Sequence, residues 1–122
     1  MDVITQTENF SWVAELIDFA AAHQIYELQH LEKNPLQVVM NLQTLDLSYK
    51  ELSCLPDALS RLTELKHLDL SHNRFEVFPP QVFTLESLTS LDISWNHIIE
   101  IPNSLPRRLT INRAWNRSKS NK

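Results

Sequence analysis

Apolar residues recur along the chain with a period of 23 residues. Three segments, 42–64, 65–87 and 88–110, align without gaps, and positions 1, 4, 6, 11, 14, 18 and 21 of the period are apolar in every copy except at Arg108. A hydrophobic content of 43% would fill only about 9 of these 21 sites by chance. The period therefore predicts three tandem structural repeats.

The repeats resemble those of the leucine-rich-repeat family. The family pattern LxxLxLxxNxL is read at Leu65, Leu68, Leu70, Asn73 and Phe75, and again at Leu88, Leu91, Ile93, Asn96 and Ile98. The first copy departs from the pattern because Lys50 stands at the Asn position, so its turn must satisfy its backbone groups in another way. Position 15 of each copy is a proline, which resembles the 23-residue class of the family with an extended or loosely helical convex side: Pro56, Pro79 and Pro102.

This resemblance implies an α/β fold, a right-handed leucine-rich-repeat solenoid with a short parallel β-sheet on its concave face. Each repeat would contribute one strand over about positions 3 to 7. Alternation along the strands then points one set of side chains into the core: Leu45, Leu47, Leu68, Leu70, Leu91 and Ile93. The other set points to solvent on the concave face: Thr44, Asp46, Ser48, His67, Asp69, Ser71, Ser90, Asp92 and Ser94.

Residues 1–41 are predicted to form an N-terminal helical cap and a partial repeat. A possible capping box at Thr5–Glu8 precedes apolar residues at helical spacing, which indicates an amphipathic helix from about residue 6 to 23: Phe10, Val13, Leu16, Ile17 and Ala20. Leu36 and Val39 lie 23 residues before two apolar positions of the first repeat, so 35–41 resembles the back half of an incomplete repeat. Small bacterial proteins of the family look similar at this end.

The period fails at the other end, where residues 111–122 are predicted to form a degenerate cap and a basic tail. Continuing the register would put Ile111, Ala114 and Asn116 at strand-core positions. Two interpretations stay open. Leu109, Ile111 and Trp115 either fold over the last repeat as an irregular cap, or form an exposed edge strand through which the chain associates with another copy of itself.

Charge is divided unevenly along the chain. The net charge is −4, but residues 1–106 carry −10 and residues 107–122 carry +6. An acidic body disfavours nucleic acid as a partner, and the basic tail suits an anionic surface or the acidic concave face itself. Asp46, Asp69 and Asp92 form a column on that face, which is either a common spelling of the strand or a site for a basic peptide or cation.

Position 8, where each strand ends, carries a ring in every copy. Tyr49, His72 and Trp95 would stack at this edge, although the family pattern does not ask for aromatic residues there. Aromatic side chains are frequent binding hot spots. We therefore expect this edge to contact a partner.

Several classes of chemistry lack the residues they need. The chain has no glycine, which excludes glycine-rich nucleotide loops, and its five histidines and single cysteine, Cys54, form no metal or nucleophile motif. No signal peptide and no apolar stretch of membrane-spanning length is recognised. The sequence predicts a protein that is not an enzyme, has no cofactor or metal, spans no membrane, and is cytoplasmic or delivered to a host cell without a signal peptide.

The predicted function is protein–protein interaction on the concave face. The partner, a peptide or protein surface, would contact Thr44, Asp46, Ser48, Tyr49, His67, Asp69, Ser71, His72, Ser90, Asp92, Ser94 and Trp95. Two alternatives stay open: a structural protein that self-associates through Leu109, Ile111 and Trp115, and the recognition part of a bacterial effector.

Overall fold

The computed structural model describes residues 11–28 and 33–116. Its helices are α1 (Ser11–His23) and α2 (Pro35–Asn41), and two short 3₁₀ helices follow, η1 (Asp57–Arg61) and η2 (Pro80–Thr84). The strands are β1 (Thr44–Asp46), β2 (His67–Asp69), β3 (Ser90–Asp92) and β4 (Thr110–Asn112). The predicted capping box at Thr5–Glu8, Phe10 and the tail from residue 117 lie outside the described residues.

The four strands form one parallel sheet in sequence order. Strands β1 to β3 start at position 3 of each repeat, as predicted, and pair residue for residue, so Leu45, Leu68 and Leu91 form one row across the sheet. The backbone hydrogen bonds continue just beyond the strands, where the Leu47 and Leu70 N–H groups donate to the next strand. The predicted parallel sheet is confirmed.

A single apolar core lies between the sheet and the 3₁₀ helices. All six side chains predicted to point inward from the strands are buried, and the largest fully buried side chain is Phe75. On the opposite side η1 contributes Ala58 and Leu59, and η2 contributes Val82. An extended proline precedes each 3₁₀ helix and ends the strand-side loop, because proline fixes its own φ and cannot continue a strand ladder.

Helix α1 closes the N-terminal end of this core. Trp12, Leu16 and Ala20 are buried in the same cluster as the repeat leucines, and the Arg61 guanidinium lies 5.9 Å from the Trp12 ring centroid. The covered stripe keeps water off the first repeat, as the end of a solenoid requires. The predicted helix is confirmed over residues 11–23.

Helix α2 departs from the predicted partial repeat at one residue. Val38 and Val39 pack against the core, but Leu36 is 57% exposed. The segment is α-helical, and an α-helix turns about 100° per residue, so Leu36 lies about 200° around the axis from Val38. The predicted equivalence of Leu36 with a core residue of the first repeat is therefore wrong.

The chain forms a fourth strand at the point where the period fails. Strand β4 pairs with β3 so that Leu91 faces Ile111, a spacing of 20 residues instead of 23. The expected failure of the 23-residue period here is confirmed, because Ala114, which that register would put at a strand-core position, is exposed. The array nevertheless continues by one strand beyond its expected end. The predicted boundary between residues 110 and 111 falls inside β4.

The shorter spacing arises on the convex side. No 3₁₀ helix joins β3 to β4, and the chain makes a single turn in which the Leu109 N–H donates to the Pro106 carbonyl over 3.1 Å. Leu109 and Ile111 are half-buried against the core, as a cap would be. The other edge of β4 pairs with no strand in the described part of the chain.

Candidate binding surface

The concave face consists of side chains that point away from the core along the strands. Thr44, His67 and Ser90 are exposed at the start of β1, β2 and β3, and Asp46, Asp69 and Asp92 follow at the strand ends. The strand pairing brings the three aspartates into one row, the Asp column, because each is the register partner of the next. On β4 the column ends in Asn112. The fold therefore assembles the predicted column from residues 23 positions apart.

Each residue of the Asp column holds a serine two residues later. Asp69 Oδ1 accepts the backbone N–H of Ser71 over 2.9 Å and its hydroxyl over 2.6 Å, and the same pair of bonds joins Asp92 to Ser94. Ser71 and Ser94 are buried as a result, at 6% and 5% exposure, so the prediction that they face solvent is wrong. One oxygen of each carboxylate thus maintains the turn, and the recurring Asp-x-Ser spacing was the signal for it.

The same bonds affect ionisation at Asp46. The Ser48 hydroxyl and then the Ser48 backbone N–H stabilise the charged carboxylate and lower the pKa of Asp46, and the Lys50 ammonium acts in the same direction. Slight burial opposes them. The first carboxylate of the column is therefore held ionised, and the half-buried Ser48 is a support for it.

Buried asparagines tie successive repeats together beside the column. The Asn73 Nδ2 donates to the carbonyls of Leu47 and Leu70, and its Oδ1 accepts the Leu52 N–H. Asn96 makes the same set one repeat further on, and Asn116 repeats it after the short spacing. These bonds satisfy backbone groups that the bend after each strand leaves unpaired.

Lys50, which stands at the asparagine position of the first repeat, also bonds to a backbone carbonyl. Its Nζ donates over 3.3 Å to the carbonyl of Gln24, which stands 23 residues before Leu47 and so occupies the place of the previous repeat. Beside it Glu27 accepts the Asp46 N–H at the free edge of β1. The N-terminal edge of the sheet is thus covered by the segment that follows α1.

The rings at the strand exits form a continuous stack, the aromatic ladder. Tyr49 and His72 lie 4.2 Å apart between centroids at an interplanar angle of 9°, His72 and Trp95 5.4 Å apart at 10°, and Trp95 and Trp115 4.9 Å apart at 20°. Three of the rings stay accessible, with Tyr49 71%, Trp95 48% and Trp115 66% exposed. The predicted stacking of the first three rings is present, and a fourth ring extends it.

All four ladder residues adopt a left-handed backbone. Their φ values are 57° at Tyr49, His72 and Trp95 and 62° at Trp115. A non-glycine residue in this conformation costs about 1 to 2 kcal/mol. The Tyr49, His72 and Trp95 N–H groups donate to carbonyls of the next repeat, which offsets this cost and fixes the direction of each ring.

Trp115 is the ladder residue whose stacking the sequence interpretation did not predict. It was grouped with Leu109 and Ile111 at the end of the array, but in the structure it stacks on Trp95. The signal was present as a local repeat, because Ser94-Trp95-Asn96 and Ala114-Trp115-Asn116 are spaced by 20 residues. The 23-residue period does not align these two segments.

Two other kinds of feature, a metal site and a membrane-spanning helix, are absent from the described residues. They contain no group of three or more His, Cys, Asp and Glu side chains able to hold a metal ion. None of the described helices has the length and apolar character needed to cross a bilayer. Cys54 is exposed.

Comparison with known families identifies the class of protein. The leucine-rich-repeat family model matches residues 26–75 and 63–105, which together cover more than half of the chain. The chain belongs to the leucine-rich-repeat family, and the predicted solenoid is confirmed. Domains of this family generally mediate protein–protein interaction and are typically not enzymes. No curated protein matches the chain.

Proposed function

We propose that this chain binds a peptide or a loop of a partner protein on its concave face, with the aromatic ladder as the main contact. The observation that carries the proposal is the exposure of stacked rings along one edge of the sheet: Tyr49, Trp95 and Trp115 are each about half exposed or more. Large exposed aromatic surface on a folded domain is a common mark of an interaction site.

The ladder is suited to binding because it is already ordered. Stacking restricts each ring, and inter-repeat backbone hydrogen bonds hold Tyr49, His72 and Trp95 in place. A partner that lands on rigid side chains loses little of its affinity to ordering them. Pre-organised rings therefore favour binding over a merely structural use of exposed aromatic area.

The remaining predicted contact residues divide into two groups. Thr44, His67 and Ser90 are exposed on the strands, and the aspartates, whose Oδ1 atoms hold the serines, lie two residues further along. Ser48, Ser71 and Ser94 enter the proposal as positioning residues, since their hydroxyls hold the aspartates. A partner would contact the first group and depend on the second.

The test is quantitative affinity capture with the wild type and a Tyr49→Ala/Trp95→Ala double variant. Phe83→Ala is the matched control, because Phe83 is a 45% exposed aromatic residue on η2, on the opposite side of the core. We expect a partner that the wild type and the control retain and the double variant loses by tenfold or more. A partner retained equally by all three would refute the proposed surface.

A second candidate function is self-association through the C-terminal end. It is favoured by β4, whose outer edge pairs with no strand in the part of the chain that the structure describes, and by the exposed Trp115 beside it. Light scattering across a hundredfold range of concentration tests it. A mass equal to one chain at every concentration would remove this candidate, whereas a dimer lost in Trp115→Glu would support it.

Two finer hypotheses stay predictions. The chain as the recognition part of a bacterial effector, and its location in the cytoplasm or in a host cell, concern its origin and delivery. Both need an experiment in cells, such as fractionation of the producing organism and of any host with an antibody against the chain.

A further inference from the structure

The Asp column combines fixed geometry with unbalanced charge. In each aspartate Oδ1 is occupied by the serine two residues later. An ion pair joins Arg74 and Glu51, on the loop beyond the strands, and none is shown between a carboxylate of the column and a cation of the described residues. The second oxygen of each aspartate is left to solvent or to a ligand.

The charge of Asp46 is only partly compensated by the cation beside it. Lys50 lies close enough to influence Asp46, but its Nζ donates to the Gln24 carbonyl, and Glu27 adds another negative charge beside it. No salt bridge shown among the described residues joins Asp69 or Asp92 to a cation. The column ends in neutral Asn112 on β4, so the negative patch covers β1 to β3.

From this charge distribution we propose that the occupant of the concave face is a basic extended segment of a partner protein, with Arg or Lys side chains on the Asp column and an apolar residue against Trp95 and Trp115. The inference rests on the proposed function and specifies its ligand. Charge complementarity requires a positively charged ligand. The adjoining exposed rings supply an apolar contact that a simple cation would not use.

The spacing of the strands restricts the ligand further. Three carboxylates on strands about 4.8 Å apart span about 10 Å, and alternate residues of an extended peptide lie about 7 Å apart. Two basic residues separated by one residue therefore fit within the column, whereas three at the same spacing overrun it. Arginine suits the site better than lysine because its planar guanidinium can donate to two carboxylates at once.

The chain contains its own control for the test. Asn112 stands at the column position of β4, and its Oδ1 accepts the Ala114 N–H as the aspartates accept their serines. Asp69→Asn/Asp92→Asn therefore removes two charges and retains an acceptor for Ser71 and Ser94. Glu86→Gln/Glu100→Gln removes the same charge from exposed residues outside the column and is the matched control.

The probes are two fluorescein-labelled synthetic nonapeptides, one with an Arg-Leu-Arg centre and one with a Glu-Leu-Glu centre, titrated with the full chain at two salt concentrations. We expect the Arg peptide to bind more tightly, to weaken as salt rises, and to lose about tenfold in affinity for Asp69→Asn/Asp92→Asn but not for the control variant. Equal affinity for both variants would overturn the inference, as would preference for the Glu peptide.

Two further outcomes separate this inference from the proposed function. Should a captured partner be lost with Tyr49→Ala/Trp95→Ala but kept by Asp69→Asn/Asp92→Asn, the aromatic ladder is the site and the basic ligand is refuted. Should deletion of residues 117–122 raise the affinity for the Arg peptide tenfold, the basic tail of the chain itself occupies the column, which refutes a partner segment as the resident ligand.

Discussion

Two neighbouring regions of the solenoid, residues 65–87 and residues 88–116, build the same surface from different lengths of chain. The first needs 23 residues from strand to strand and closes with η2, whereas the second needs 20 and closes with one turn at Pro106. Both spacings nevertheless lead to a strand that is followed by a left-handed aromatic residue and a bonded asparagine: β3 with Trp95 and Asn96, and β4 with Trp115 and Asn116. The strand side is therefore held to one geometry, and the convex side absorbs the difference in length.

The constraints of this fold lie on the strand side of the repeats. Parallel strands must stay in register to complete their backbone hydrogen bonds. After each of β1 to β3 the ladder residue donates its N–H to the next repeat. The asparagines bond to the repeat before their own. The convex segment only has to cover the core. A shortened repeat consequently extends the sheet and the aromatic ladder, but with less burial.

The largest expected difference between the two regions is in the stability lost when a core side chain is shortened. Leu68→Ala should lower the free energy of unfolding by about 3 kcal/mol, because Leu68 is buried in the core. Ile111, which lies in the same row on β4, is only half-buried, so Ile111→Ala should lower the free energy of unfolding by only about 1 kcal/mol. Urea denaturation followed by far-UV circular dichroism measures both. Equal losses would mean that β4 is packed as firmly as β2.

The asparagines provide a sharper test of the same contrast. Asn96→Ala should cost about 2 to 3 kcal/mol, since it leaves buried carbonyls and the Phe75 N–H without partners, and Asn116→Ala about 1 kcal/mol, since Asn116 is half-buried and water replaces its bonds. The measurement is again urea denaturation. A larger loss at Asn116 would contradict the view that the short repeat is the weaker one.

The left-handed ladder residues give a prediction of intermediate size. Trp95→Gly should be more stable than Trp95→Ala by about 1 kcal/mol, because both lose the ring but only glycine adopts a φ of 57° without strain. The same order is expected for Trp115→Gly and Trp115→Ala. Thermal unfolding compares the four variants. An alanine variant more stable than its glycine counterpart at either site would show that the backbone there is not left-handed.

The smallest expected effect concerns ionisation on the concave face. Ser48→Ala should raise the pKa of Asp46, since it removes the Ser48 hydroxyl, the largest of the causes that lower this pKa, and keeps the Ser48 backbone N–H. NMR titration of the Asp46 carboxyl measures this, with Ser60→Ala as control because the Ser60 hydroxyl bonds to a carbonyl on η1. An unchanged pKa would show that the hydroxyl does not hold the carboxylate.

The sign of the related pH dependence follows from the lowered pKa. The folded Asp46 binds its proton less readily than the unfolded one, so its contribution to stability is present above the unfolded pKa and is lost as pH falls through the folded pKa. In Ser48→Ala that loss on the acid side should be smaller. The wild type and the variant are compared by denaturation at acidic and neutral pH.

Much of the regular part of the fold was predictable from the sequence. Leucines at fixed positions of the repeat predicted the rows of core side chains. Two of the prolines at position 15, Pro56 and Pro79, directly precede the two 3₁₀ helices. The stacking of Tyr49, His72 and Trp95 followed from their shared position in the period. These predictions held because each depends on one period repeated without gaps.

The sequence by itself determined the leucine-rich-repeat class, the parallel strands β1 to β3 and the Asp column, since side-chain alternation along a strand is a local property of the chain. Only the tertiary structure decided that Trp115 joins the ladder, that Ser71 and Ser94 are buried, and that Lys50 bonds to Gln24. Each of these depends on which backbone groups of one repeat lie opposite the next. Hydrogen bonds between the repeats fix which groups lie opposite each other. The connection from β3 to β4 is three residues shorter than the others, and this places Trp115 opposite Trp95 while β4 still pairs with β3.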